Sequence, residues 1–193
     1  MVSDSSQTLV LKPQVHARLF NAHVLKAVQY ESSTAASARS VVTFAKPGNA
    51  RSLVFSRVRI SGTVVQQTSA VVAGSERTFI YIDDGTGVVP FALRTHCKSE
   101  TERLAADEME RRLSVVSEAN RVVCGLTVEV LGTLHYRQAA GSMAAADASL
   151  PYVWVECSHL TFKHDAMAEV SAALDILSTY TVYFPDTFHK ASM

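Results

Sequence analysis

Asp83 and Asp84 stand side by side in the stretch YIDDGTGVVPFALR (81–94), followed at once by Gly85 and Gly87. Two chemistries use such residues. Adjacent carboxylates can hold a divalent cation, and a Gly-x-Gly can cradle phosphate oxygens on backbone N–H groups. Neither suits this context. Neighbours in an extended chain point to opposite faces, and no third acidic residue lies near. A phosphate loop needs a Lys-Ser/Thr and a following helix, whereas Val88–Arg94 reads as a strand. The pair therefore reads as a tight turn, in which a carboxylate accepts backbone N–H groups while Gly85 and Gly87 take positive φ.

His96–Cys97 and Cys157–His159 offer four groups of the type that binds zinc. Cys-x-His lacks the usual knuckle spacing, and Cys157 and His159 fall inside a strand pattern. No metal is expected. Cys124 sits in an apolar strand pattern and is assigned to the core. No nucleophile elbow or similar context surrounds any Cys, Ser and His that could form a catalytic set, so no catalysis and no cofactor are expected. Three widely spaced cysteines, an odd number, argue against a disulfide framework and for a reducing compartment.

The elements that must carry these residues come from 193 residues, enough for one well-buried domain with extensions. Hydrophobic residues are 48% and charged residues 19% of the chain, a globular balance. Lys+Arg and Asp+Glu are both 18, which excludes a generally basic surface as the means of holding phosphates. No apolar run approaches the length of a membrane span, and the first residues lack the basic-then-apolar pattern of a secretory signal.

Residues 1–50 read as an extension in which VHARLFNAHVLKAVQYE (15–31) can pack, followed by a small-residue loop (32–40) and a turn at 45–50. Strands follow. Val58, Ile60 and Val64 alternate with Arg57, Arg59, Ser61 and Thr63, and Gly62 suggests a bulge or bend. Thr78, Ile80 and Ile82 oppose Arg77, Phe79 and Tyr81, and Val88–Arg94 returns as a third strand. Residues 99–120 carry a capping box (Ser99, Glu102) and an imperfect stripe of Leu104, Met109, Leu113 and Val116, which predicts a helix. Two more alternating strands follow, at 121–137 and 150–162, separated by a low-complexity loop. Asp165 then caps a last helix bearing Met167, Val170, Leu174 and Leu177 on one stripe, with Tyr180 beside it.

This order predicts an all-β domain with flanking helices. It is a five-stranded OB-fold barrel with a helix between strands 3 and 4 and a C-terminal amphipathic helix. The boundaries are 1–50 extension, 51–163 barrel, 164–184 interaction helix and 185–193 tail. Another small barrel of five or six strands is the alternative. Small barrels hold single strands on aromatic platforms and arginines, here Arg57, Arg59, Phe79, Tyr81, Arg94, His135, Tyr136, Arg137 and Trp154. The opposing reading packs Phe79, Tyr81 and Trp154 under neighbouring elements. The helix stripe serves equally as a seam for a partner or as a lid on its own barrel.

VRISGTVVQQ, TFIYIDDGTGVVPFALR and GLTVEVLGTLHYR, followed by a last strand and helix, resemble the OB domain of the middle subunit of replication protein A. They are equally similar to the Stn-type subunit of the telomere-capping CST complex. The resemblance spans about residues 54–180. It implies a noncatalytic, nuclear subunit of a single-stranded-DNA-binding complex, paired with a small OB subunit and a large multi-OB subunit through terminal helices. Two departures stand out. Such relatives usually carry a winged-helix domain after the barrel, which this sequence is expected to lack. They also end the strand after the DDGTG turn in a base-stacking tryptophan where this chain has Arg94. The second, with the zero net charge, favours a scaffold with weak strand contacts. The two departures leave as alternative the small OB subunit of a RecQ helicase–topoisomerase complex.

Overall fold

The computed structural model describes residues 7–30, 39–44, 51–72, 75–93, 124–137, 151–165 and 167–183. In chain order these form β1 (Gln7–Val10), β2 (His16–Arg18), α1 (Asn21–Lys26), β3 (Val28–Tyr30), β4 (Arg39–Phe44), β5 (Arg51–Phe55) and β6 (Arg57–Val72). There follow β7 (Ser75–Asp83), β8 (Val88–Leu93), β9 (Thr127–Tyr136), β10 (Val153–Lys163) and α2 (Ala168–Tyr183). The helix predicted at 99–120, the low-complexity loop, the turn at 45–50 and Arg94 lie outside the described residues.

Alternation builds the barrel. β6 pairs antiparallel with β7 and β7 with β8; β8 pairs parallel with β10, and β10 antiparallel with β9. β9 then pairs antiparallel with β6 and closes the ring. The strand order β6-β7-β8-β10-β9 is that of an OB-fold barrel. Its interior is filled by the residues that alternation put on one side: Val58, Ile60, Ile80, Ile82, Val89, Phe91, Val128, Val130 and Val155, each at most 1% exposed. β2 extends the barrel sheet by pairing parallel with β6.

Small barrels need close backbone approaches, and two glycines provide them. A Cβ on Gly62 would lie 2.6 Å from the Asp83 carbonyl oxygen, and one on Gly132 would collide with the Glu156 carbonyl. The bulge expected near Gly62 falls between Val64 and Gln66, with a second between Cys157 and His159. Gly62 therefore serves approach rather than the bulge itself.

The N-terminal segment holds the main addition to the sequence reading. β1, β5, β4 and β3 form a second, four-stranded sheet in that order, with β1 parallel to β5 and the other pairs antiparallel. Leu53, Phe55 and Val42 join the barrel core, as do Ala17, Leu19, Val24 and Ala27 from the predicted packing segment. Cys124 differs from expectation: it is exposed, in the turn before β9, because the strand begins only at Thr127, after Gly125 at φ +90°.

Candidate nucleic-acid interface and partner helix

The DDGTG hairpin is a structural clasp. Asp83 Oδ1 accepts the Gly85 N–H at 2.8 Å, and Asp84 Oδ1 accepts the Thr86 N–H at 2.9 Å and its hydroxyl at 2.7 Å. Gly85 takes φ +81° as expected, but Gly87 does not take positive φ. Gly87 instead sits close under α1, where a Cβ would lie 3.1 Å from Leu25 Cδ1. The hairpin also reaches α1. Asp84 Oδ2 accepts the Asn21 N–H at 2.8 Å, Thr86 Oγ1 accepts the Ala22 N–H at 3.1 Å, and Asn21 Nδ2 donates to Ile82 and Gly87 carbonyls. Both carboxylates thus accept backbone N–H groups, Asp83 within the turn and Asp84 in the turn and at the start of α1. Asn21, fully buried, is a functional part of this clasp that the sequence pattern did not single out.

Of the nine residues predicted to face a nucleic-acid strand, Arg94 lies outside the described residues, and the other eight do not form one patch. Phe79, Tyr81, His135 and Trp154 do come together on the outer face of β7, β8, β10 and β9. Phe79 is 1% exposed and Trp154 6%, and with Ala92 they make a small second core against which Ala70 and Tyr81 pack. The Phe79 and Trp154 rings meet edge to face at 5.9 Å, and the exposed His135 ring stacks on Trp154 at 5.7 Å. Register explains the grouping, since Trp154 lies opposite His135 and both Phe79 and Glu156 lie opposite Ala92. Arg77 donates to the nearly buried Glu156 carboxylate at 2.8 Å beside them. Trp154 Nε1 is buried and has no hydrogen-bond partner among the described residues.

Four more of the described residues do not join that cluster. Tyr136 follows His135 in an extended strand and so points the opposite way; it packs against the barrel core, and burial pushes its hydroxyl pKa up while Ser40 opposes the shift. Arg59 pairs with Glu129 at 2.6 Å, and Lys163 reaches the same carboxylate at 3.6 Å. Arg57 is exposed beside His16 of β2, whose pKa is lowered by burial and then by the charges of Arg57 and Arg59. Arg137 is half-buried, and its N–H donates to the Tyr152 carbonyl at 2.9 Å.

The terminal helix α2 turns a sparse face inward. Ala168, Ile176 and Tyr180 are its buried residues. Arg18 pairs with Asp175, and Thr63 donates to Glu169 at its first turn. A cleft of about 330 Å³ remains between helix and barrel, lined by Arg18, Arg59, Glu129, Lys163 and Ile176 among others. The predicted stripe faces away: Met167 is 56% exposed, Val170 48%, Leu174 61% and Leu177 42%. These four side chains do not lid the barrel. Tyr180, one position beyond, belongs to the inner face.

No family model matches the chain, and no curated protein matches it. Among solved structures, it is similar to the S. pombe Stn1–Ten1 complex at 13% identity and TM-score 0.47, over 69% of this chain and 76% of that one. Yeast Stn1 and Ten1 align at 13% identity and TM-score 0.44, over 67% and 55% of the respective chains. An OBody bound to hen egg-white lysozyme aligns at 14% identity and TM-score 0.33, over 57% and 83%. The fold assignment rests on the strand order of the barrel itself.

Proposed function

We propose that this chain is a noncatalytic OB-fold subunit of a nuclear single-stranded-DNA-binding complex of the replication protein A or CST type, serving DNA replication or telomere maintenance mainly as a scaffold. One observation carries the reading. Phe79 and Trp154 on the barrel's outer face are used up in packing, whereas Val170, Leu174 and Leu177 of α2, with Met167 just before it, stand in solvent. Met167, Val170, Leu174 and Leu177 recur at alternating intervals of three and four, the spacing on which a partner helix seats. The partners are other OB-fold subunits, one small and one large, as the sequence resemblance implies.

Strand contacts are secondary in this reading. Stacking needs an open aromatic face, and the exposed His135 offers more of one than Phe79 or Trp154. Arg57 adds local positive charge on an exposed side chain, while Arg59 is already committed to Glu129. Arg94 stands where the relatives' sequences keep a stacking tryptophan. A titration of the isolated chain with single-stranded oligonucleotides across a range of salt tests this directly. Weak binding with a shallow salt slope is expected, since few phosphates would be neutralised. Tight, steeply salt-dependent binding by the isolated chain would overturn the scaffold reading.

A further inference from the structure

Tyr180 is the one buried aromatic among the described side chains of α2, 8% exposed, and it enters an aromatic box built by other parts of the chain. Its ring meets Phe20 at 6.0 Å and Phe44 of β4 at 5.5 Å, both edge to face, and lies 5.4 Å from His23 of α1. The His23 ring in turn meets Phe44 at 4.8 Å. The Tyr180 hydroxyl accepts the Phe20 N–H at 3.4 Å and stands 2.6 Å from His23 Nδ1. With the Phe20 N–H donating into that hydroxyl, its own proton is free to point at Nδ1, which suits the neutral imidazole carrying its hydrogen on Nε2.

We propose that Tyr180, His23, Phe20 and Phe44 form a latch that holds α2 on the barrel and loosens on acidification. The rest of the helix's inner face is Ala168, Ile176 and two half-exposed polar ties over an open cleft, so Tyr180 supplies most of its aromatic anchorage. Seating Tyr180 buries His23, and burial disfavours the imidazolium. The charged groups facing His23 are Lys26 on its own helix, which also lowers its pKa, and Asp84 on the β7–β8 hairpin, which raises it less; α2 presents Tyr180 and β4 presents Phe44. With the docked value below the ordinary one of about 6.5, docking is at full strength above that value and weakens as pH falls through it. The latch also ties the Asp84 clasp, through α1, to the helix whose outer stripe is the proposed seam. Only that bearing on assembly rests on the function proposed above.

Hydrogen exchange of α2 amides in the isolated full chain tests the latch at pH 7.5 and 5.5, after correction for intrinsic exchange. Protection of the second half of α2 should fall severalfold, with a ceiling of about tenfold for one imidazole because pH 5.5 lies about one unit below the ordinary value, while β6 and β9 hold theirs. His23→Phe should remove that pH dependence. Equal loss in both proteins, or none in the wild type, overturns the proposal. Should His23→Phe not fold, an NMR titration of His23 in the wild type and in Tyr180→Ala decides: release should raise the pKa toward its ordinary value, and an unchanged value overturns the latch. No partner enters either measurement, so a failed seam and a failed latch are told apart.

Discussion

Two surfaces of this molecule carry large apolar side chains on the side away from the barrel core, and they have opposite fates. On the outer face of β7, β8 and β10, Phe79 and Trp154 are covered and the Arg77–Glu156 pair is nearly buried beside them. On the outer face of α2, Met167, Val170, Leu174 and Leu177 remain in water. A contiguous exposed aliphatic stripe on a helix is a feature that association removes, whereas a packed aromatic face is already satisfied. In this contrast the helix is the surface that keeps its apolar side chains in water.

The sharpest way to break that contrast is to truncate both sides in the isolated chain. Phe79→Ala should lose about 3–5 kcal/mol of stability in denaturant unfolding, as for other buried phenylalanines. A loss under about 1 kcal/mol would mean that its cover is loose and that the face opens to ligands. Arg77→Ala comes next, at about 1.5–3 kcal/mol, because it strips a charge-assisted hydrogen bond from a nearly buried carboxylate. Asp84→Ala should cost about 1–2 kcal/mol by uncapping α1 and loosening the hairpin, with exchange at the Asn21 and Thr86 amides as its local signature. Leu174→Ala should fall within about 0.5 kcal/mol of wild type, since the side chain is mostly solvated.

The pattern of polar and apolar residues placed the barrel strands well. Val58, Ile60, Ile80, Ile82, Val128 and Val155 face inward because pleating alone assigns alternate residues to alternate sides. It also located α2, from a helical stripe that begins just after Asp165. Periodicity does not say whether a face is covered, however. The same stripe was compatible with a lid, and the same Phe79–Tyr81 alternation with an open platform. The second sheet escaped notice because β1 pairs with β5 across more than forty positions, Gln7 opposite Arg51, and strands of three to six residues carry little local signal. Gly87 and Cys124 show the same limit: a contact with α1 and the late start of β9 decide them, and neither is encoded locally.

The central claim is that α2 presents its outer stripe to a partner subunit. Its most direct test is recovery of the native complex with the wild-type chain and with a Leu174→Asp, Leu177→Asp double variant whose unfolding midpoint is checked in parallel. The account predicts that the wild type recovers an OB-fold subunit, and that the variant loses it while its unfolding midpoint stays near that of the wild type. Undiminished recovery of that subunit by a folded variant would contradict it.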